Sequence, residues 1–342
     1  MKKRILMVMV AVLGIFLATA CGSQKEETAK GEVKQEQKKE VKAERAIKIA
    51  ALKGPTTMGL VKLFSDNEAG KALNKYETSI ANTPDEIVAA IGKGEFDMAA
   101  IPANLASVIY NKTQGKVQVA AVNTLSVLYM VETGNSVKSV KDLKGKTVYT
   151  TNKGATPEFV LNYVLKGNGL EPGKDVKIEF KSEAAEVAAL LSKENDVVAM
   201  LPEPFVTVAQ TKNKNLKTAF YMGDEWDKVP GTKAGSQITG VLVVNKKFAE
   251  ENPEAVKNFL KEYKESIDFL NSNVEEGAKL VAKYNIVPEP VAKLAIPKTR
   301  TAFIAGSEMK EKMEDYLKIL FGESPESVGG KLPAEDFYLI VN

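Results

Sequence analysis

EIVAAIGKGEFDMAAIP, residues 86–102, returns one hundred residues later as EVAALLSKENDVVAMLP, residues 186–202. Glu86 to Ile91 matches Glu186 to Leu191, Lys93 matches Lys193, and Ala99-Ala100-Ile101-Pro102 matches Ala199-Met200-Leu201-Pro202. Each copy reads as an amphipathic helix, then a buried strand, then a proline that opens the next helix. Two copies of one supersecondary unit imply two lobes of similar build. The period is too long, and the copies too few, for a solenoid.

Outward from the first copy the same alternation continues. Ile47 to Leu52 reads as a strand, Gly54-Pro55 as a turn and Thr57 to Phe64 as a helix; a strand near Thr78 to Ala81, a helix from Asp85 to Lys93, a strand Met98 to Ile101, a helix Ala103 to Lys112 and a strand Val117 to Val122 follow. This order predicts an α/β fold with mixed, mainly parallel sheets covered on both faces. Thr83-Pro84-Asp85-Glu86 spells a helix start, with threonine as cap, proline in the first turn and Glu86 closing a capping box. Thr156-Pro157-Glu158 begins another helix in a similar way. Between the copies, Ser139 to Val148 joins one lobe to the other, and Thr239 to Asn245 is a strand placed to return. After it, Asn252-Pro253-Glu254 caps a helix whose Val256, Phe259, Leu260, Tyr263 and Ile267 form one apolar stripe. Helical segments near residues 276–284, 290–296 and 309–321 should join it as a coat on the first lobe. Trp226, the only tryptophan, reads as packing.

Composition removes several chemistries. The 342 residues include 47 Lys+Arg, 44 Asp+Glu, one cysteine and no histidine. A Ser-His-Asp triad, an imidazole metal ligand, a disulfide and a thiolate zinc cage are all excluded. No metal and no cofactor are expected. Lys2, Lys3 and Arg4 precede an apolar run from Ile5 to Ala20, which is shorter than the roughly 20 residues needed to span a bilayer. With Ala18-Thr19-Ala20 before Cys21, residues 1–20 resemble a bacterial lipoprotein signal peptide, in which the cysteine is lipidated and becomes the mature N-terminus. Removing residues 1–20 takes away three positive charges and leaves 44 minus 44, or zero. A nucleic-acid partner is therefore not expected. Residues 21–45 follow as a tether; residues 22–45 carry 13 charged side chains and no aromatic, a composition that cannot offset its ordering entropy by burial.

Signal, tether, two α/β lobes and the segment SVKDLKGKTV, residues 139–148, resemble the solute-binding lipoproteins of ABC importers. DLKGKTV, residues 142–148, is the strongest match, and NPEAVKNFL, residues 252–260, is the second. The nearest branch is that of the sulfonate, nitrate, taurine and thiamine-precursor binders. The resemblance implies a type II periplasmic-binding-protein fold with a hinge of two crossings. Lobe one would hold residues 46–135 and 240–342, and lobe two residues 136–239. It further implies a monomer, lipid-anchored on the outer face of the cytoplasmic membrane, that closes on a small solute and delivers it to an ABC permease and its ATPase without catalysis.

In open α/β sheets a ligand sits beyond the carboxyl ends of the strands, where helices begin. That rule selects Lys53 to Met58, Pro102 to Asn104, Thr150 to Thr156 and Pro202 to Phe205. Candidate ligand-binding residues are Lys53, Thr56, Thr57, Met58, Pro102, Asn104, Thr124, Lys153, Gly154, Thr156 and Glu203. Helix N-termini and hydroxyls would favour an anion, Lys53 and Lys153 are the candidate cations, and Glu203 would suit a ligand amine, which keeps a zwitterion or a neutral heterocycle open. Three alternatives remain at this stage: an enzyme on the same lobes, using Glu203 or Glu158 for proton transfer; a binder of a thiamine-pyrimidine precursor; and a surface adhesin.

Overall fold

The computed structural model describes residues 45–341. The signal peptide, Cys21 and the tether through Glu44 lie outside the described residues. The described residues form one compact unit. The first lobe opens with β1 (Ile47–Leu52), α1 (Pro55–Met58), α2 (Val61–Glu68), β2 (Tyr76–Ala81), α3 (Pro84–Lys93), β3 (Met98–Pro102), α4 (Ala103–Lys112) and β4 (Val117–Leu125). The second lobe holds β5 (Leu128–Glu132), β6 (Thr147–Thr151), α5 (Thr156–Gly167), β7 (Lys177–Lys181), α6 (Ala184–Lys193), β8 (Val198–Pro202), α7 (Phe205–Lys212), β9 (Lys217–Tyr221) and α8 (Met222–Asp227). The chain returns as β10 (Ile238–Asn245) and ends with α9 (Lys246–Glu251), α10 (Pro253–Ser272), α11 (Val274–Lys283), α12 (Glu289–Ala295), β11 (Thr301–Ile304) and α13 (Gly306–Glu323). Among the described residues no helix is long and apolar enough to cross a membrane.

The strand orders are β2-β1-β3-β10-β4-β11 and β7-β6-β8-β5-β9. In each sheet three parallel strands meet one reversed strand, beyond which the next strand resumes the original direction. The reversed strand is β10 in the first sheet and β5 in the second. The sequence repeat maps onto α3–β3 and α6–β8, the third strand of each sheet with its preceding helix.

Two expected boundaries move. The chain leaves the first sheet at Leu125 and joins the second at Leu128, so residues 128–135 belong to the second lobe rather than the first. Residues 125–131 are one nearly unbroken apolar run, and hydrophobicity alone does not mark where a strand changes cores. Arg45 belongs to the fold rather than to the tether. Its guanidinium bonds both carboxylate oxygens of Asp97 at 2.7 Å, while Asp97 also accepts the Lys48 N–H at 2.9 Å. Such a two-pronged pair holds geometry as well as charge.

Strand β3 shows how the layers form. Met98 and Ala100 join Ile49, Phe64, Phe259 and Tyr263 on one face of the first sheet, under α2 and α10. Ala99 and Ile101 join Ile87, Ile91 and Ala106 on the other, under α3 and α4. The period of two separates the faces. In the second sheet Val187, Leu191 and Val206 cover one face, and Val160, Leu161 and Trp226 the other. Each fully buried side chain of this kind stabilises the fold by about 1.5–3 kcal/mol. Trp226 is fully buried, donates its indole N–H to the Ser236 hydroxyl at 3.0 Å and stacks near Tyr163 and Tyr316. It packs α13 against α5 and α8, so α13 touches both lobes.

Gly240 in β10 has no room for a side chain, since a Cβ there would meet the Thr56 methyl at 2.5 Å and the Asn123 carbonyl oxygen at 2.6 Å. Gly240→Ala should lower the unfolding free energy by about 1–3 kcal/mol in urea denaturation. Gly322→Ala, at a position in α13 with open space around it, should be neutral or slightly stabilising.

Candidate functional site

At the carboxyl ends of the strands the lobes enclose a cavity of ≈ 230 Å³. Lobe one contributes the β1–α1 turn (Leu52, Lys53, Pro55, Thr56), Asn82 after β2, Pro102 at the end of β3, and Thr239 in β10. Lobe two contributes Asn152, Thr156 and Pro157 around the head of α5, residues 183–185 at the head of α6, and Pro202, Phe205, Val208 and Lys212 on and before α7. Leu128 reaches it from the crossing, and Ile286, Val287 and Pro288 close it from the loop between α11 and α12.

Of the expected residues, Lys53, Thr56, Pro102 and Thr156 line this cavity. The others do not. Thr57 is fully buried and donates its hydroxyl to the Leu52 carbonyl at 2.6 Å, and Met58 is packed among Val61, Leu270 and Ala278. Thr124 donates to the Asn123 side chain at 2.9 Å. Lys153 and Gly154 lie in a neighbouring open groove that shares Asn152 with the cavity, with the Lys153 ammonium 6.0 Å from the Phe180 ring centre. Glu203 lies buried outside the cavity lining.

The donor arrangement differs from the expected anion cradle. A hydroxyl has one proton to give. Thr56 gives its proton to the Leu52 carbonyl at 2.9 Å, and Thr156 gives its own to the Asn104 carbonyl oxygen at 3.3 Å while accepting from Tyr316 at 3.2 Å. Thr156 is also not the cap of α5: Ala155 holds that position, and Thr156 stands first in the helix with Pro157 second. Proline has no N–H, and the Glu158 N–H is taken by the Ala155 carbonyl, so α5 has few donors to offer a ligand. Thr239 is the exception. It is 7% exposed, lines the cavity, and its hydroxyl has no partner among the described residues.

Asn104 joins the lobes instead of touching a ligand. Its amide N–H₂ donates to the Gly154 carbonyl in lobe two at 3.1 Å and to the Ser327 carbonyl at 3.0 Å, and its carbonyl oxygen accepts from Thr156. A second bridge lies around Glu203. Its carboxylate accepts the Thr207 N–H at 3.1 Å and the Thr207 hydroxyl at 3.0 Å, and Lys298 from lobe one approaches to 3.9 Å. Burial pushes the Glu203 carboxyl above the ordinary carboxylate range, against the opposite pull of Thr207 and Lys298. Nearby, the Arg300 guanidinium of lobe one sits 4.3 Å from the Tyr221 ring centre of lobe two. Glu158 accepts the Gly154 N–H at 2.5 Å and faces the neighbouring groove. Neither carboxylate considered for proton transfer lines the cavity.

Several lining residues escaped the sequence reading. Asn82 and residues 183–185 follow β2 and β7, and the strand-end rule applied to those strands would have found them. The wall formed by Ile286, Val287 and Pro288 comes from the C-terminal coat and carries no comparable signal.

The protein family described as ABC transporter, phosphonate, periplasmic substrate-binding protein matches residues 74–288. A binding protein of Brucella abortus is 24% identical over 197 residues, 58% of this chain, and the match spans 58% of that relative's own length. An ABC transporter protein of Parabacteroides distasonis has the same fold with TM-score 0.70 and 21% identity, covering 86% of this chain and 98% of its own. The periplasmic aliphatic sulphonate binding protein of Escherichia coli follows with TM-score 0.67, 17% identity, and 87% and 94% covered.

Asn104→Ala leaves the buried Ser327 carbonyl and the part-buried Gly154 carbonyl short of a donor and should lower stability by about 1–3 kcal/mol. Small-angle scattering of that variant should show a larger radius of gyration, because the lobes lose a tie. Glu203→Gln tests the buried charge through pH. A folded pKa above the unfolded one means that burial costs nothing below the ordinary glutamate value of about 4.3 and costs progressively more as pH rises through the folded value. The variant should therefore gain melting temperature relative to the parent as pH rises above the ordinary glutamate value of about 4.3, as followed by calorimetry.

Proposed function

Because this chain belongs to the phosphonate-type family of ABC-transporter periplasmic substrate-binding proteins, we propose that it captures a small organic anion or zwitterion outside the cytoplasm by closure of its two lobes and delivers it to an ABC permease driven by its ATPase. The observation that carries this reading is the cavity itself, which neither lobe can build alone: Lys53, Thr56 and Pro102 come from one side and Thr156, Pro157 and Phe205 from the other. A ligand that touches both walls binds the closed form better than the open one, and that difference is what drives closure. Lipid on Cys21 and the charged segment 22–44 would hold the folded unit near its membrane partner, at an r.m.s. reach of about 25–30 Å were it a coil of that length. Sulfonates and phosphonates are the first solutes to test, since family and fold both lead to them.

A thermal-shift screen of the chain from Gly22 onward, which keeps the whole compact unit, should find at least one sulfonate, phosphonate or carboxylate that raises the melting temperature. At a ligand concentration 100 times Kd the stabilisation is about 2.7 kcal/mol. A folded, monodisperse protein that ignores every such solute would count against the reading. Radiolabelled palmitate incorporated by the parent and absent from Cys21→Ser tests the anchor independently.

A further inference from the structure

We propose that one flank of lobe one rests on an anionic lipid surface and holds the cavity away from the membrane while the protein waits for solute. This rests on the anchored-capture reading above and adds a second membrane contact to the lipid on Cys21. Beside α10 and β11 lies a groove of ≈ 260 Å³. Phe303, Leu339 and Val341 give it apolar walls, and Lys257, Lys261 and Lys264 stand along its rim at successive turns of α10. No aspartate or glutamate lines it. Among the described residues only Lys264 of the three makes an ion pair, with Asp268 at 2.6 Å, and the acids Glu262 and Glu265 of the same helix line a different groove with Asp66. Val341 is 37% exposed and its neighbour Ile340 44%. Open hydrocarbon side chains beside a row of lysines fit the headgroup boundary of an anionic bilayer, where the apolar groups enter and the ammonium groups meet phosphate.

The position of the groove is the second observation. Strands β1 and β3 start at one end of the first sheet, where Asp97 holds Arg45 and segment 22–44 joins the fold. Strand β10 finishes there, β4 begins beside it with Val117 opposite Asn245, and α10 follows one short helix later. Leu339 is fixed near the start of β4, since its N–H donates to the Val119 carbonyl at 2.8 Å. The point of attachment and the lysine-rimmed flank therefore share one end of lobe one, and the cavity lies toward the other, at the carboxyl ends of the strands. An anchor on Cys21 keeps the attached end within reach of the bilayer, which turns a weak surface contact into an intramolecular one. Each lysine brought to an anionic surface strengthens that contact by about fivefold, and salt screens the gain. The cavity then faces the solute, and delivery requires the flank to let go.

The test uses the single cysteine. The chain from Cys21 onward is coupled through that thiol to maleimide-bearing lipid, in vesicles of phosphatidylcholine alone or with phosphatidylglycerol as about one-third of the lipid, and the acetylation rate of each lysine is read by mass spectrometry. On the anionic vesicles Lys257 and Lys261 should react about threefold or more slowly than on the neutral ones, and the difference should vanish in about 0.5 M salt. Lys212, which lines the cavity, should react alike on both. The double variant Ile340→Ser with Val341→Ser should recover most of the lost lysine reactivity at an unchanged melting temperature. Equal rates on the two kinds of vesicle, or slowing of Lys212 to the same degree, overturns the proposal. Slowing on native membranes but not on pure lipid assigns the flank to a protein partner and overturns it too. Coupling stands in for the acyl chains, so the outcome does not depend on acylation in the cell. Capture is read on the uncoupled chain by thermal shift, so a failure of the lipid contact leaves that reading standing, and a failure of every solute to bind leaves the lipid contact to be judged on the vesicles alone.

Discussion

Each sheet is completed by a strand that the chain lays down on arriving from the other lobe. Leaving the first sheet at Leu125, it enters the second as β5, between β8 and β9; returning, it enters the first as β10, between β3 and β4. Both are interior strands, with N–H and C=O groups that need neighbours on two sides, and a bare interior edge is costly. The first sheet therefore cannot close until the chain has made its excursion through the second lobe. That requirement ties the lobes at two adjacent crossings and turns the carboxyl ends of both sets of parallel strands toward one shared space. The glycine that lets β10 pass closely by Thr56 and Asn123 sits beside Thr239, which lines that space. The return strand and the cavity wall are one structure.

Much of this was legible because it repeats. The copies at 86–102 and 186–202 fall on equivalent helix and strand units of the two sheets, and the Thr83 to Glu86 cap closes as its spacing requires, with the Thr83 N–H donating to Glu86 at 3.1 Å. The apolar stripe from Val256 to Ile267 lies buried along α10. Periodicity reports which face of an element is covered. It does not report which body covers it, and so Leu128 and Met130 could not be assigned to the second core from their pattern. The same limit applies to the site. The strand-end rule locates Lys53, Thr56, Pro102 and Thr156 because it depends on topology alone. Asn104, Thr57 and Glu203 fall at the same strand ends, yet their side chains turn to the Gly154 carbonyl, the Leu52 carbonyl and Thr207. Which acceptor claims a buried donor is decided by three-dimensional proximity, here between residues up to 223 positions apart.

Those commitments change the chemistry expected of the cavity. A threonine beside a helix N-terminus suggests an anion donor until its proton is traced. With the Thr56 and Thr156 hydroxyls committed and Pro157 lacking an N–H, the donors left in the lining are the Thr239 hydroxyl, Asn152, the first-turn N–H groups of α6 and α7, and the cations Lys53 and Lys212. Hydrophobic contact is non-directional and scales with area. The apolar part of such a lining would discriminate by volume and contact area.

Under the proposed capture by lobe closure, two separable sets of contacts would govern the balance. Asn104 with Gly154, Lys298 with Glu203, and Arg300 with Tyr221 join the lobes without lining the cavity. They favour the closed arrangement whatever the cavity contains. Ligand shifts the balance only by its own differential contacts with the two walls, and the fraction of molecules already closed sets how much of that contact energy appears as affinity. A strong set of ties raises affinity for every solute alike and adds no discrimination between them. Discrimination must therefore come from the wall that the ties leave untouched, where Phe205 and Val208 of one lobe face Ile286 and Val287 of the other, and where a body too short to bridge them forfeits contact on one side.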